Sequence, residues 1–341
     1  MKKIVLYFFW GLTALLLSEN IYAAGPARTV SITGAVRQPL DLTIEYLKTC
    51  RSIRVQLNEI TKKGEFKGVF HYQGVPLKNL LELSLIDKGK TDFSKSIDLA
   101  ILIKNRAGKQ VVLSWGEVFY KNPGQVILAF FSEPVIPHKA CKNCHDPDVY
   151  QPWLSQFERN VGFPKLVVSS DSYSDRSMEE ITEIRVVDMK PEIRVKKSEE
   201  LYSPEFTIKD IPGRVKPVVI KKISDYPLSE ITVKVVGEGK GYHGIKRFQG
   251  VPLIKLFENA KIKADIDTVI LISAPDGYRS LLSSGEIFLS PYGGRIIIAD
   301  KANGQSLKRG GKFCLILPDD LMADRWVKAV KKIEIISFKK Q

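Results

Sequence analysis

The sequence contains the same succession of motifs twice, and this internal repeat limits the possible folds more than any other feature. Residues 71–82 match residues 247–258, and both segments carry the identical core Gln-Gly-Val-Pro-Leu. Three further matches keep the same order along the chain, and they join residues 34–37 to 213–216, 114–119 to 283–288, and Asp175-Arg176 to Asp324-Arg325. Self-similarity of this kind indicates a tandem duplication of one domain. We therefore expect two copies of one fold within the 341 residues.

The spacing of the matches differs between the copies, which locates an insertion in the first one. Gly116 and Gly285 are 169 positions apart, whereas Arg176 and Arg325 are 149 positions apart. The first copy therefore holds 20 additional residues between these points, and we place the insertion at about 138–160. Because loops on a rigid scaffold often carry function, we look for chemistry in this insertion first.

Hydrophobic periodicity predicts an α+β fold in each copy, mixed and rich in β-structure. Residues 53–57 and 231–235 alternate in polarity, which is typical of half-buried strands. Each Gly-Val-Pro-Leu segment predicts a turn that enters a short helix. Apolar segments predict further strands at 99–103, 126–131, 269–272 and 295–299, with turns at Gly108 and 275–277. The Asp-Arg pairs predict a salt bridge or a helix cap. We expect the first repeat over 27–189, a linker over 190–205 and the second repeat over 206–338.

The order of these elements resembles the molybdopterin-binding domain of sulfite-oxidase-type enzymes. In the second copy the resemblance is carried by residues 249–253, 276–278 and 324–326. It covers most of both copies, and it implies two tandem sulfite-oxidase-like domains and, if the chain is an enzyme, an oxidoreductase. Members of this family ligate molybdenum through a cysteine shortly before the Gly-x-Pro-Leu motif. The corresponding residues 57–62 and 237–241 contain no cysteine, which makes molybdopterin a doubtful cofactor.

The insertion carries a c-type haem attachment motif, in which Cys141 and Cys144 are followed directly by His145. Two thiols at this spacing can each bond one haem vinyl group, and the imidazole of His145 can ligate the iron as its proximal ligand. We therefore expect covalent haem c. Two alternatives stay open for the same residues, namely a local disulfide and a zinc site that includes His138. Cys50 and Cys314 lie in different repeats, where each can be a small buried hydrophobe.

A sixth iron ligand is predicted only as a choice between His71 and His138. His71 precedes the Gln-Gly-Val-Pro-Leu motif, where the resembled fold opens its cofactor cleft, and His138 is close to the attachment motif in sequence. Four aromatic residues follow the motif and either enclose a haem or pack the insertion against the domain, and they are Tyr150, Trp153, Phe157 and Phe163.

Residues 1–24 have the pattern of a secretory signal, with Lys2 and Lys3 before an apolar stretch over 4–17. The stretch is shorter than the roughly 20 residues that cross a bilayer. We therefore expect cleavage near Ala24 and a periplasmic location. Loss of two lysines and one glutamate lowers the formal net charge from +14 to +13. Such a surface favours an acidic redox partner or an anionic membrane surface, and no nucleic-acid-binding motif accompanies it.

The leading prediction of function is a periplasmic c-type monohaem protein that transfers electrons, with the duplicated domain as a docking scaffold. The first alternative is a sulfite-oxidase-type molybdopterin-dependent oxidoreductase with a haem relay. The second is a non-catalytic binding module in which Cys141 and Cys144 form a disulfide that staples a loop.

Overall fold

The computed structural model describes residues 29–135, 148, 151–190, 201–211, 213–237, 241–307 and 311–339. These residues form a β-rich structure with short helices, which agrees with the mixed fold class predicted from the sequence. The predicted signal over 1–24 lies outside the described residues, as do most of the predicted linker and the haem attachment motif.

The first half of the chain has nine strands, β1 (Thr29–Gly34), β2 (Leu40–Thr43), β3 (Ile53–Ile60), β4 (Phe66–Pro76), β5 (Leu99–Asn105), β6 (Gln110–Ser114), β7 (Val126–Pro134), β8 (Lys165–Val168) and β9 (Ile181–Asp188), among its described residues. Its helices there are α1 (Ile44–Thr49), α2 (Leu77–Leu83), α3 (Trp115–Phe119) and α4 (Leu154–Phe157). In the second half the described strands are β10 (Phe206–Asp210), β11 (Val218–Ile220), β12 (Ser229–Val236), β13 (Tyr242–Pro252), β14 (Thr268–Ser273), β15 (Arg279–Ser283), β16 (Ile297–Ala302), β17 (Gln305–Ser306), β18 (Cys314–Ile316) and β19 (Lys332–Ser337). The helices of that half are α5 (Leu253–Asn259) and α6 (Ser284–Phe288).

Each half contains a five-stranded sheet, and the two sheets have the same strand order. The order is β2-β1-β9-β5-β6 in the first half and β11-β10-β19-β14-β15 in the second. In both sheets the first strand of the half pairs in parallel with its last strand, β1 with β9 and β10 with β19. The other neighbours pair antiparallel. Each half therefore closes on itself, with its two ends side by side.

A second sheet in each half also follows a common plan. It runs β3-β4-β7-β8 in the first half, and in the second half β12, β13 and β16 are joined by β17 and β18, which both pair with β16. Gly74 of β4 pairs with Ala129, and Gly250 of β13 pairs with Ala299. A Cβ atom at either glycine would collide with the backbone of the neighbouring strand, so this close approach requires glycine. The correspondence between the halves thus extends to single residues.

Proline ends the long strand of each second sheet and begins the helix that follows. Pro76 and Pro252 are the last residues of β4 and β13, and α2 and α5 start at the next residue. The predicted turn at Gly-Val-Pro is therefore wrong, because the chain passes directly from strand to helix. The proline ring fixes φ near the value that helix entry needs, and it lacks only a donor that the first helical turn would leave unpaired.

Three apolar layers lie between sheets, and two further clusters lie on the outer faces of the second sheets. One core lies between the two sheets of the first half, and an equivalent core lies between the two sheets of the second half. A third, smaller layer joins the halves, because the five-stranded sheets face each other through Leu102, Val112, Leu271 and Leu281. Burial of these side chains stabilises the contact between the halves by roughly 25 cal/mol for each Å² of apolar surface removed from water.

Arg176 is fully buried at the contact between the halves. Its guanidinium lies 2.7 Å from Asp171 and 2.9 Å from Glu117, both in the first half. The guanidinium of Arg176 also contacts the second half, where it donates to the hydroxyl of Ser283 at 3.0 Å and covers Gly285. A side chain at position 285 would occupy the space that the guanidinium fills.

Arg325 repeats this arrangement in the opposite direction. It lies 2.7 Å from Asp320 and 2.8 Å from Glu286 in its own half. It then reaches the first half, where it donates to Ser114 at 3.3 Å and covers Gly116. Each half therefore contributes one arginine whose guanidinium covers a glycine of the other half. The aspartates that pair with these arginines are Asp171 and Asp320, five residues before each arginine, and not the aspartates directly before them.

We predict that Gly285→Ala weakens this contact, because the methyl group displaces the guanidinium of Arg176 and leaves buried charges without their partners. Loss of one partner of a buried ion pair costs about 3–5 kcal/mol, and we expect a decrease of this size in the free energy of unfolding. Gly294→Ala is the matched control, since open space surrounds Gly294. Urea denaturation measures both variants, and equal stabilities for the two would contradict the role of the crossing arginine.

Candidate functional site

The residues predicted to hold a haem lie outside the described residues. This applies to Cys141, Cys144 and His145, and also to His138. The covalent haem therefore stays a prediction from the sequence. The described residues do show where both ends of the insertion attach to the domain.

Both ends of the insertion lie against strand β4. At its start, the backbone N–H of Val135 donates to the carbonyl oxygen of Val69 at 2.9 Å. At its end, the rings of Trp153 and Phe157 pack against Phe66 with centroid distances of 5.5 and 5.9 Å. The chain therefore contacts β4 just before the insertion and again near its end.

Four charged residues fix the end of the insertion to this face, and we call them the ionic cluster: Glu59, Arg159, Lys165 and Glu179. Arg159 belongs to the insertion and lies 3.0 Å from Glu59 and 2.6 Å from Glu179. Lys165 is only 1% exposed and contacts the same two carboxylates at 2.9 and 3.1 Å. Two cations and two anions balance, which is the arrangement that permits burial of charge.

The surroundings of the ionic cluster shift the pKa values of two groups in opposite directions. Burial raises the pKa of Tyr72, and Glu59, which accepts a hydrogen bond from its hydroxyl, raises it further. Burial also raises the pKa of Glu179, but Lys165 and the hydrogen bond from Gly162 lower it more, so it lies below its ordinary value. Glu179 is therefore a carboxylate at neutral pH, and Tyr72 keeps its proton.

His71 lies on the other face of β4. Its neighbours Phe70 and Tyr72 point into the cluster of residues that the insertion covers, and side chains alternate along a strand. The Nδ1 atom of His71 lies 2.8 Å from the guanidinium of Arg54, which also contacts Glu133 at 2.6 Å. The described end of the insertion therefore approaches the face opposite to His71, whose role as a sixth ligand stays a prediction.

The second half has a cavity of about 660 Å³ at the position of the ionic cluster. Val235 is equivalent to Glu59, because each is the single residue that faces the two bulged residues of its neighbouring strand. Cys314 pairs with Ala299 as Lys165 pairs with Ala129. These residues of the second half line the cavity. In the first half this face is filled with charges and covered, and in the second half the described residues leave a cavity on it.

Cys314 brings a thiol to the second-half cavity, which sequence reasoning did not anticipate. Burial raises the pKa of Cys314 to about 12, although Lys328 opposes the shift. The thiol is therefore protonated at neutral pH, and it donates weakly to the carbonyl of Leu315 at 3.6 Å. Cys50 and Cys314 are both free cysteines. Residues 237–241, where the resemblance would place a metal-ligating cysteine, contribute Gly237 to the cavity, and it offers no thiolate.

A second cavity, of about 390 Å³, lies between the halves beside Arg176. Its wall includes Glu117 and Glu286, which occupy equivalent positions in α3 and α6. Burial raises the pKa of Glu117 to about 7, with Arg176 opposing the shift and Glu286 adding to it. Burial also raises the pKa of Glu286, but Arg325 lowers it more, so it lies below its ordinary value. The two equivalent carboxyls therefore differ in protonation near neutral pH.

The described ranges contain neither a metal-binding group nor a membrane-spanning helix. In that part of the chain no group of histidine, cysteine, aspartate and glutamate residues is arranged to bind a metal ion. Among the helices described, none has the length and apolarity required to span a membrane.

Sequence reasoning missed the charged residues that organise both sites. A signal for Lys165 existed, because it begins an otherwise apolar strand and a lysine at a buried strand position needs a partner. Asp171 and Asp320 could also have been found, since each lies five residues before the arginine of its repeat. Nothing in the sequence links Glu59 to Arg159, because 100 residues separate them.

Comparisons with known proteins gave only weak similarity, and this was to solved structures. No family model matches the sequence, and no curated protein matches it. Among solved structures, the chain is similar to the sulfane dehydrogenase SoxCD from Paracoccus pantotrophus. The similarity covers 91% of this chain and 78% of that one, with 14% identity and a TM-score of 0.32. This level of similarity is too low to assign the chain to a family.

We predict that Lys165→Met lowers the free energy of unfolding by about 3 kcal/mol at pH 7, because it leaves the buried Glu59 and the half-buried Glu179 with one cation. The folded-state pKa of Glu179 is depressed. Its contribution is therefore present above the unfolded-state pKa of about 4.3 and is lost as the pH falls through the folded-state value. The difference from the wild type should shrink in acid. Urea denaturation at pH 7 and pH 4 measures it, with exposed Lys234→Met as control, and a difference that does not depend on pH would refute the assignment.

The contrast between Glu117 and Glu286 gives a second pH-dependent prediction. Because the folded-state pKa of Glu117 is raised to about 7, its contribution to stability is present below the unfolded-state pKa and is lost as the pH rises through 7. We expect the free energy of unfolding of the wild type to fall by about 2 kcal/mol between pH 5 and pH 8. Glu117→Gln should flatten this profile, whereas Glu286→Gln should be destabilised throughout. Denaturation series at several pH values measure the profiles, and an unchanged slope in Glu117→Gln would show that another group titrates.

Proposed function

We propose that the chain is an exported c-type monohaem protein that transfers electrons. The observation that supports this most is the Cys-x-x-Cys-His motif in an insertion whose two described ends lie against one strand. A loop fixed at both ends suits a site that must be presented to a partner in a constant orientation. The predicted signal over 1–24 would bring the chain to the compartment in which covalent haem attachment occurs.

In this proposal each residue of the motif has a separate role. Cys141 and Cys144 would form the two thioether bonds, and His145 would be the proximal ligand of the iron. A bound haem would supply one-electron transfer. The ionic cluster and the packing of Trp153 and Phe157 on Phe66 would hold the loop on the domain. His138 or His71 would be the sixth ligand, and of these only His71 is described, on the opposite face of β4.

We also propose that the two halves arose by tandem duplication of a molybdopterin-oxidoreductase-like domain and now serve as a scaffold. The identical strand orders and matching glycines of the halves support this origin. The partner would be an acidic redox protein or an anionic membrane surface, because the mature chain would carry a formal net charge of +13.

A molybdopterin-dependent reaction finds less support in the described residues. The second-half cavity is large enough for an organic cofactor, but its thiol at Cys314 is protonated and the expected ligand position carries no cysteine. We therefore assign no step to such a cofactor. A disulfide between Cys141 and Cys144, which would make the chain a non-catalytic binding module, is the alternative that the following experiment separates from the haem proposal.

Cysteine variants produced in a host with intact haem maturation test the proposal. We expect the wild-type protein and Cys50→Ser to carry one covalent haem, and Cys141→Ser with Cys144→Ser to carry none. His145→Ala should lose the proximal ligand and change the visible spectrum of any haem that stays attached. Intact-mass spectrometry measures the adduct. A wild-type mass two protons below that of the reduced chain, with no adduct, would establish the disulfide instead.

A further inference from the structure

The same strand face is covered in the first half, whereas in the second half no described residue covers it. Phe66 of β4 is packed by Trp153 and Phe157 of the insertion, whereas Tyr242 at the equivalent position of β13 is 66% exposed. A Cβ atom at Gly68 would lie 3.0 Å from the carbonyl oxygen of Gln156 in the insertion. At Gly244, its equivalent, a Cβ atom would meet no atom within 4 Å. The first half thus shows what kind of segment can cover this face.

The floor of this face in the second half is apolar and able to accept an aromatic side chain. Phe248 and Trp326 meet edge to face with ring centroids 5.4 Å apart, and both line the second-half cavity. Tyr242 lies at the start of the same strand, two residues before Gly244. Aromatic groups of this kind dominate the energetics of contacts between proteins.

Charge differs between the two faces in a way that specifies the covering segment. In the first half, Arg159 of the insertion pairs with Glu59 and Glu179. In the second half, Val235 is at the position of Glu59 and Lys328 is at the position of Glu179. The second equivalence follows from the backbone, because Leu315 bonds to Val327 as Leu166 bonds to Met178, and Lys328 and Glu179 are the next residues. If a segment lay on the second half as the insertion lies on the first, its residue at the position of Arg159 would lie next to Lys328. Such a segment needs a carboxylate there instead of an arginine.

The second half as a whole is basic, although Asp276 and Asp324 also line the cavity. Residues 201–341 contain 24 lysines and arginines against 15 aspartates and glutamates. Lys246 also lines the cavity, at the position that Phe70 has in the first half. A basic surface of this extent attracts acidic partners and repels basic ones.

We propose that the β13 face of the second half, formed by Tyr242, Gly244, Lys246, Phe248 and Lys328, is a docking groove for an acidic peptide segment with an aromatic anchor, contributed by a partner protein. The segment lies on β13 as the insertion lies on β4. Its aromatic side chain packs at Tyr242, and its carboxylate pairs with Lys328. This proposal does not rest on the haem, because it uses only residues outside the attachment motif.

A charge-swap experiment on the full exported chain tests the groove. The probe is a fluorescent synthetic peptide with the sequence of residues 151–163 and the change Arg159→Glu, and the matched control is the unchanged sequence. We expect the acidic peptide to bind the wild-type protein about tenfold more tightly than the control. In Lys328→Glu, whose substitution lies at an exposed position, the preference should reverse in favour of the control peptide. Fluorescence anisotropy at low and high salt measures both affinities, and salt should reduce the preference.

Tyr242→Ala separates the aromatic contact from the charge. We expect it to weaken both peptides about equally while it keeps the preference for the acidic one. Circular dichroism of each variant shows whether the fold is retained. Equal affinity of the two peptides for wild-type protein, or a preference that survives Lys328→Glu, would overturn the proposal. Self-association of the wild-type chain in sedimentation experiments that Lys328→Glu abolishes would also overturn it, because the groove would then hold a second copy.

Discussion

The exchange of arginines between the halves is the interaction on which the rest of the structure depends. Arg176 and Arg325 are fully buried, and each pairs with carboxylates of its own half while it covers a glycine of the other. Because an unpaired charge at this depth is costly, the arginines fix the distance and rotation between α3 and α6. The facing five-stranded sheets add apolar contact, and Arg279 adds an ion pair at 2.8 Å to Asp98 of the other half. The two halves are therefore held together as one unit, and each half carries its second sheet on this unit.

The two second sheets share a framework but differ in what lies on their outer faces. In the first half, the ionic cluster balances two cations with two anions, and Arg159 in it holds the end of the insertion on the sheet. In the second half the smaller Val235 and Cys314 occupy the positions of Glu59 and Lys165, Lys328 occupies that of Glu179, and a cavity is present. The two faces therefore differ at a few equivalent positions and in the presence of the insertion. The first face becomes a support for a loop, and the second keeps an opening suited to an external segment.

Much of the fold could be predicted from the sequence, because it depends on local patterns. The alternation over residues 53–57 and 231–235 gave β3 and β12, and Leu77, Leu80 and Leu81 are buried on one side of α2 as their spacing indicates. The haem motif was equally local, and it stays a prediction from the sequence. The ionic cluster, the second-half cavity and the lowered and raised pKa values of Glu286 and Glu117 could not be predicted. They depend on residues brought together from distant parts of the chain, and their energetics follow from burial that no sequence window contains.

Above all, we propose that the insertion of the first half carries a covalent haem used for electron transfer. The most direct measurement is the visible spectrum of the purified exported protein, oxidised and reduced, with iron and molybdenum content determined on the same sample. We predict that the reduced protein shows sharp absorption bands of the c type and that the sample contains stoichiometric iron and no molybdenum. A colourless protein without iron, or one with stoichiometric molybdenum, would contradict it.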